Sequence, residues 1–340
     1  MSGFHKYSCV LIALAVVSIS GESKAEISLK EAQRINLQIE RMRKIDFYEN
    51  PATMFYCDSV SVSSFGMGAE IKRSDKPYMQ QLGTGHTLAN IIADSYTRLG
   101  AKSVVWGSAQ FRTGSYRDIK WSDCIDYRRI APYVLGDEVG GNLSTRQYTF
   151  SGGYAHNFGK YSLGAYADYR AEIAYRNYDP RVKTIVSDLN LKFGASYQIS
   201  TKYILGLNAG INIYNQNCDL DFYNPLNDIN TYTLTGLGTY YKRFMGNTNK
   251  NSGYTSLGYR VGVQCLPVAG GGWSAVGMYN RFRMNQQLRS FNNITLGFTD
   301  NDVVTASVSY RTKLVPKIYF QPRITGCVFS RKGTENLFGT

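Results

Sequence analysis

Four charged residues on one side of a long predicted strand are the strongest candidates for chemistry in this sequence. Asp168, Arg170, Glu172 and Arg176 lie in residues 161–176, which read YSLGAYADYRAEIAYR. Successive side chains of a strand point to opposite faces, so these charges share one face and mainly apolar side chains occupy the other. On the wall of a water-filled lumen, such a ladder would set ion selectivity or bind a solute. Alternatively, mixed charges on neighbouring strands would neutralise one another and hydrate the interior.

Other predicted strands extend this pattern. The charged face continues with three further residues: Asp188, Lys192 and Arg260. Tyrosines stand near the strand ends, where the aromatic girdles of a transmembrane barrel lie. These girdle candidates are Tyr161, Tyr175, Tyr197 and Tyr203. The apolar stretch of residues 163–173, at roughly 3.3 Å per residue and a tilt of about 40°, rises about 25 Å, close to the apolar band of such a barrel.

The sequence offers little for catalysis. Outside the predicted export signal it has two histidines, His86 and His156, and neither belongs to a recognisable catalytic or metal-binding motif. His156 lies near a predicted strand end and would need a serine and an acid to form a lipid-hydrolysing triad. We therefore predict no enzyme activity, no metal and no cofactor, and we keep a lipid hydrolase as the third and weakest hypothesis.

The N-terminus is typical of an exported protein. A basic start at His5 and Lys6, an apolar stretch over 10–19 and the small-x-small sequence Ser-Lys-Ala at 23–25 predict a signal peptide over residues 1–25. The formal net charge of +13 would suggest nucleic acid for a cytoplasmic protein, but export argues against that partner. We expect the basic residues to meet phosphates of outer-membrane lipid, including lipopolysaccharide, to bias a pore toward anions, or to form a generally basic surface.

The mature sequence divides into two parts. Residues 26–56 include a charged stretch at helical spacing, with Ser28 and Glu31 placed as a capping box, and predict a periplasmic amphipathic helix and lead-in. This helix would be a plug or a docking element for a periplasmic or surface protein, or a leader packed against a barrel rim; we favour the leader. Residues 57–340 follow a period of two and predict an outer-membrane β-barrel.

Thirteen strands are predicted, with connections that alternate between long and short up to residue 245. The predicted strands cover residues 58–71, 86–99, 102–117, 144–158, 160–176, 183–199, 202–217, 230–245, 253–267, 273–287, 291–300, 302–313 and 316–331. Short periplasmic turns and longer outer loops are typical of outer-membrane barrels. In one strand Arg281 and Arg283 share parity with Trp273, and a bulge would restore the register. The fold class is an all-β antiparallel transmembrane β-barrel of about 12–14 strands with a short N-terminal helix.

Several stretches carry a resemblance to a known family. They are Asn50-Pro51-Ala52, residues 121–133, YTFSGGY at 148–154, YRNYDPR at 175–181 and Ser187-Asp188-Leu189. With them the sequence resembles an uncharacterised outer-membrane barrel family of Bacteroidota-type bacteria, a domain of unknown function. The resemblance implies a fold and a location, but no reaction. Members of that family are longer, and bacterial single-chain barrels have even strand numbers. Either the chain is incomplete at its C-terminus or the count is off by one.

Two functions remain open for such a barrel. The leading hypothesis is a channel or uptake protein for small solutes in the cell outer membrane. The alternative is a non-conducting barrel that anchors or assembles surface or periplasmic proteins. Small luminal residues such as Gly206 and Gly258 would fit a pore, whereas Tyr166 and Tyr214 would fit a sealed lumen. The loop over 118–143 would constrict a pore, recognise a partner or cap the barrel.

Overall fold

The structure is a computed structural model, and it describes most of the chain. The described residues are 9–15, 49–57, 61–224, 226, 229–246, 251–268, 271–315 and 318–337. The predicted helix within 26–56 falls mainly outside them, and only its lead-in from residue 49 is described. Among the described helices, none is both long enough and apolar enough to cross a membrane.

Sixteen strands and five short helices make up the described chain. The strands are β1 (Cys9–Ala15), β2 (Val62–Arg73), β3 (Gly85–Leu99), β4 (Ser103–Ile119), β5 (Val134–Asp137), β6 (Gly141–Asn157), β7 (Tyr161–Tyr175), β8 (Arg181–Gln198), β9 (Tyr203–Asp221), β10 (Thr231–Gly236), β11 (Thr239–Tyr240), β12 (Asn251–Pro267), β13 (Gly272–Leu288), β14 (Ile294–Val315), β15 (Ile318–Phe320) and β16 (Arg323–Glu335). The helices are the 3₁₀ turns Pro51–Tyr56, Gln80–Leu82, Lys242–Phe244 and Arg289–Phe291 and the α-helix Tyr127–Ile130.

One antiparallel sheet dominates the molecule, which confirms the all-β fold class. It has 13 strands in the order β1-β2-β3-β4-β6-β7-β8-β9-β12-β13-β14, with both β15 and β16 paired to β14. Each long strand pairs with its neighbour in sequence because it is joined to it by a hairpin turn or by a loop that returns to the same edge. A second sheet of three strands, β11-β10-β5, is formed entirely within two of the long loops.

Two corrections affect three of the predicted strands. With these corrections, the connections alternate between long and short. The predicted strand 230–245 is not part of the large sheet: β10 lies there and pairs with β5 instead. The predicted strands 291–300 and 302–313 are one continuous strand, β14, because Asn301 is not a turn but a buried side chain that donates to Thr299. Long and short connections then alternate along the whole sheet, as expected of an outer-membrane barrel.

The two faces of the sheet differ as the sequence predicts. On β7 the apolar set of Leu163 and its i+2 neighbours is exposed on the outer, convex face, whereas Ser162 and Glu172 are buried on the inner, concave face. Neighbouring strands continue the apolar face with exposed Phe193 and Leu207. The fold therefore carries an apolar belt outside and a polar, covered surface inside.

The predicted bulge near Trp273 is wrong. The β12–β13 ladder runs without a register shift, and the single shift between β13 and β14 follows Gln286. Arg283 therefore lies on the convex face with Trp273, where it donates to Asp300 from Nε (2.7 Å) and from Nη2 (2.9 Å). Arg281 is likewise within 3.8 Å of Asp302 on that face. Local pairing of opposite charges, rather than a change of register, accommodates these arginines.

The edge of the sheet beside β2 includes part of the predicted signal peptide. Cys9–Ala15 forms β1, which pairs antiparallel with β2 from Cys9↔Ile71 to Ala15↔Phe65. An edge strand offers unpaired N–H and C=O groups, so an extended apolar segment can pair with it. Cleavage after residue 25 stays a prediction, and it would leave β2 without this neighbour.

Candidate functional site

Two inserted segments cover the concave face from opposite ends. We call residues 49–57 the luminal segment; it lies at the end where the short turns are, against β6, β7 and β8. We call residues 120–140 the mouth loop; it connects β4 to β6 at the end of the long loops and contains the helix Tyr127–Ile130 and strand β5. Together they cover the concave face of the central strands, whereas nearly all residues of the edge strand β16 are exposed on both faces.

A glycine-lined groove in the wall holds the start of the luminal segment. Asn50 caps the 3₁₀ turn, because its Oδ1 accepts from Ala52 N at 3.0 Å. Its Nδ2 also donates to the wall carbonyls of Ala195 (3.2 Å) and Leu207 (3.1 Å). A Cβ atom on Gly194 would lie 1.9 Å from Asn50 Oδ1, so a side chain at this wall position and the luminal segment exclude each other. The Asn-Pro-Ala motif thus marks a fitted contact with the wall.

Apolar contacts hold the rest of the luminal segment. Met54 is fully buried in a cluster with Tyr96 and Trp106 of the wall. The Tyr96 hydroxyl donates to the Met54 carbonyl at 2.9 Å, and Arg98 Nη2 donates to the Phe55 carbonyl at 2.6 Å. Burying a side chain the size of methionine stabilises a structure by about 1.5–3 kcal/mol. The segment is therefore seated by packing as well as by hydrogen bonds.

A carboxylate at the start of the luminal segment meets two wall cations. Glu49 Oε2 lies 2.6 Å from Arg260 Nη1 and 3.7 Å from Lys192 Nζ. The Lys192 ammonium also lies 5.5 Å from the centre of the Tyr166 ring. Both cations come from strands of the wall, β8 and β12, and Asp168 on β7 faces the same region through Asn190 (3.0 Å). Glu49 thus supplies an ionic partner to two cations of the wall.

A buried arginine fixes the mouth loop at its base. Arg176 donates to the carbonyls of Pro180 (Nε, 2.8 Å) and Gly140 (Nη1, 2.8 Å), and its Nη2 donates to Asp137. Its Nη2 is also 3.6 Å from Asp123 Oδ1, and all three ionisable side chains have at most 2% exposure. Each charge here has an opposite partner, which is the condition under which buried ions are tolerated.

The two loop carboxyls of this cluster differ in protonation. Burial and the neighbouring Asp137 raise the pKa of Asp123 well above its usual value. Although burial opposes it, the hydrogen bond with Asp123 and the Arg176 guanidinium lower the pKa of Asp137. Asp123 Oδ2 is buried without an acceptor or donor assigned to it, as expected if a protonated Asp123 points its O–H at Asp137. The pair therefore carries one proton and one negative charge toward Arg176.

A second ionic network lies at the centre of the concave face. Arg170 donates from both Nη atoms to Asp126 of the mouth loop and from Nη1 to Glu172 (3.0 Å) on its own strand. Arg129, also from the mouth loop, donates to Asp188 at 2.9 Å and lies over the Tyr214 ring, 4.0 Å from its centre. The mouth loop thus supplies one anion, Asp126, and one cation, Arg129, and the wall supplies an oppositely charged partner for each.

Apolar packing adds to the closure of the mouth. The loop residues Cys124, Ile130 and Leu135 are buried in one cluster with wall residues including Tyr254. The Tyr254 hydroxyl accepts from Leu135 N at 2.9 Å and lies 3.6 Å from Cys124 Sγ. The mouth loop is consequently part of the core of the molecule.

Cavities remain between the inserted segments and the wall. One, of about 230 Å³, is lined by Lys192 and Arg260 of the wall, Arg129 of the loop and amide side chains including Asn190. A larger one, of about 620 Å³, lies under the mouth loop against Arg112, Arg170 and Glu172, among other residues. Space lined by charged side chains thus remains between the inserted segments and the wall.

The predicted ladder residues stand on the concave face or at its upper rim, but mostly as ion-paired partners. Each of them contacts another charged or amide side chain there: Asp168, Arg170, Glu172, Arg176, Asp188, Lys192 and Arg260.

The girdle candidates lie at strand ends. Tyr161 and Tyr197 pack with 4.8 Å between ring centres, the Tyr203 hydroxyl accepts from Trp273 N at 3.3 Å, and Tyr175 ends β7. Their role at a lipid interface stays a prediction.

Sequence reasoning missed the partners that the two inserted segments supply. Asp126 and Arg129 lie in the mouth loop, and their wall partners, Arg170 and Asp188, are 44 and 59 residues away in sequence. Glu49 is 211 residues from Arg260. Spacing along a strand reveals which residues share a face, and it does not reveal which loop folds onto that face.

The surroundings of the two histidines bear on the hydrolase hypothesis. His156 Nδ1 lies 2.7 Å from Ser103 Oγ on the convex face near the short turns, a contact that a serine nucleophile would need. In the described part of the chain no ion pair joins His156 to a carboxylate, and its ring packs on Phe158. His86 pairs with Glu70 instead (2.9 Å). The described residues thus supply the serine and the histidine of a catalytic triad, but no acid that contacts the histidine.

Comparison with known proteins identifies the family of this chain. Residues 51–340 match the model of a family described as a family of unknown function, DUF6850. The chain belongs to this family. No curated protein matches it. Among solved structures, the unliganded crystal structure of the ferric citrate transporter FecA is similar with a TM-score of 0.33 and 11% identity, over 73% of this chain and 39% of that one. The chain thus spans about two fifths of the length of that protein.

Proposed function

We propose that this protein is an outer-membrane β-barrel that takes up small solutes through a lumen closed at rest. The observation that carries the proposal is the pair of inserted segments, the luminal segment and the mouth loop, which cover the concave face from both ends and leave ionic cavities between them. Wide barrels cannot be filled by wall side chains alone, and those that do not leave an open channel hold a plug.

The outer face and the predicted export signal support the membrane location. The convex belt of exposed Leu163, Phe193 and Leu207 would be unfavourable in water over such an area, but it suits lipid. On this face Arg281 and Arg283 are paired with aspartates, and the exposed Arg146 lies opposite Ile173, toward the long-loop end of the belt. In a membrane-spanning barrel each strand pairs with its neighbours, and the described strands of the large sheet from β2 to β16 pair in this way, although the two edges of the sheet are not paired with each other in the described residues.

The alternative is the sealed anchor, and the buried salt bridges of the mouth loop favour it. Arg176 and Asp137 are buried as completely as any core pair, so the mouth loop does not open at low cost. An anchor of this kind would bind a surface or periplasmic protein and pass no solute. The distinction therefore depends on whether displacing the inserted segments creates a conducting path.

Single-channel recording in planar bilayers tests the proposal. The unmodified protein should be silent. The double variant Gly194→Leu with Arg176→Met should show discrete current steps, because the first change excludes the luminal segment and the second frees the mouth loop. Gly152→Leu is the matched control for the glycine change, since a Cβ there meets nothing within 4 Å, and it should stay silent.

Two other results would contradict parts of the proposal. Steps from the unmodified protein would establish an open channel and contradict closure at rest. Silence of the double variant, with both segments shown by protease cleavage to be released, would contradict uptake and favour the anchor.

A further inference from the structure

The luminal segment carries its own candidate ligand. We propose that Lys192 and Arg260 form a binding site for the carboxylate group of a small solute, and that Glu49 occupies this site in the resting protein. The proposal rests on the function proposed above and adds to it a substrate class and a reason for closure.

The geometry at Glu49 is that of a bound carboxylate. One oxygen, Oε2, is shared by two cations that come from different strands, Arg260 Nη1 at 2.6 Å and Lys192 Nζ at 3.7 Å. Charge-assisted hydrogen bonds of this length are among the strongest that side chains make. Neither cation has a nearer carboxylate among the ion pairs of the described residues.

The surroundings suit a small anion better than they suit a fixed structural ion pair. The cavity of about 230 Å³ opens beside Lys192 and Arg260 and is lined on its other sides by Asn190, Asn212 and Arg129, so a molecule larger than the Glu49 carboxylate has space there. Arg129 is already paired with Asp188, and Asn212 Nδ2 donates to the same aspartate at 2.7 Å. Asp168 acts electrostatically on both Lys192 and Arg260 but forms an ion pair with neither, so among the described residues Glu49 is the carboxylate in direct contact with the Lys192–Arg260 pair.

Competition at this site would couple solute binding to the plug. Glu49 directly precedes Asn50, whose side chain makes the two wall contacts of the groove. A solute carboxylate that displaces Glu49 removes the ionic contact at one end of the segment and leaves the groove and the Met54 contact to hold it. Binding and loosening of the segment are then linked equilibria, so each must favour the other.

Binding of a small carboxylate with and without Glu49 tests the proposal directly. The variant Glu49→Ala removes the resident carboxylate, and propionate, which reproduces the Glu49 side chain beyond Cα, is the probe; propionamide is its neutral counterpart. We expect Glu49→Ala to bind propionate at least about tenfold more tightly than the unmodified protein, since an internal competitor at high effective concentration is gone. Propionamide should bind equally weakly to both.

The hydrogen exchange of the luminal amides gives a second readout. The amide of Thr53, which donates to Asn50 O at 3.1 Å, should exchange faster in Glu49→Ala than in the unmodified protein. Saturating propionate should speed this exchange in the unmodified protein toward the rate of Glu49→Ala, and it should leave the rate of Glu49→Ala unchanged, because no resident carboxylate is left to displace. Adding Arg260→Gln to Glu49→Ala should abolish propionate binding. Equal propionate affinity with and without Glu49, or propionate binding that persists without Arg260, would overturn the proposal.

The outcome is separable from that of the bilayer recordings. Tight, Arg260-dependent propionate binding together with a silent double variant would retain the carboxylate site and remove uptake. Current steps from the double variant without propionate binding would retain uptake and remove the carboxylate site.

Discussion

The buried base of the mouth loop gives the sharpest test of how the interior is closed. In Arg176→Met the side-chain volume is nearly kept, but Asp137 loses its partner, and the carbonyls of Gly140 and Pro180 lose a donor. Removing one member of a buried ion pair typically costs about 3–5 kcal/mol. Because these contacts exist only while the loop is docked, the cost should fall on local opening of the loop rather than on the sheet.

The opening can be followed at a cysteine inside the loop. Cys124 is 3% exposed and reacts with a maleimide only when the loop leaves the concave face. With about 1.4 kcal/mol for each factor of ten, the loss at Arg176 predicts labelling of Cys124 about 100- to 3000-fold faster than in the unmodified protein. Peptide-resolved mass spectrometry of protein in detergent micelles measures the rate.

A surface arginine at the same end of the sheet supplies the control. Arg181→Met removes an exposed side chain whose partner, Asp179, is 3.5 Å away, and should change the Cys124 labelling rate by less than about twofold. An Arg176→Met rate within about threefold of the unmodified protein would refute the reasoning, because the buried ion pair would then contribute nothing to holding the loop.

Two further predictions concern the two faces and the pH. Ala167→Arg places a charge on the apolar belt and should reduce the free energy of membrane insertion by about 2–4 kcal/mol in a folding titration with lipid vesicles. Gly164→Arg should insert normally but release residues 49–57 to protease. Equal insertion defects in the two variants would contradict the assigned faces. The docked mouth loop should be most stable at about pH 4, as measured by Cys124 labelling with a pH-insensitive reagent. The lowered pKa of Asp137 gives stability that is present above the usual value of 3.8 and is lost as pH falls through the lowered pKa. The raised pKa of Asp123 gives stability that is present below the usual value of 3.8 and is lost as pH rises through the raised pKa. A monotonic dependence on pH would contradict the shared proton.

The sequence predicts the sheet well because a strand repeats its pattern every two residues. The parity of Leu163 against Glu172 is enough to separate the outer face from the inner one, and hairpin spacing orders the strands. One error arose at a segment whose apolar and polar residues alternate although it is not a strand of the large sheet. Residues 231–236 alternate because β10 is half-buried against β5, not because they cross a membrane.

The candidate site was only partly predictable for a different reason. The wall cations Lys192 and Arg260 follow from strand parity, but their counter-ion, Glu49, reaches them through the folding of a segment with no periodic signal. The same holds for Asp126, which meets Arg170 through the mouth loop. The glycine groove under Asn50 is likewise invisible in the sequence, because Gly194 has meaning only when the segment that it accommodates is in place.

The most direct measurement of the central claim is a photo-crosslinking experiment on the luminal segment. Photo-methionine in place of methionine reports on position 54, which is buried beside Tyr96 and Trp106, and on Met67, which is exposed on the convex face. In membranes, position 54 should crosslink to wall peptides that contain Tyr96 or Trp106, and position 67 to lipid. Crosslinks of position 54 to lipid or solvent, with the expected lipid adducts at 67, would contradict a lumen closed by its own N-terminal segment.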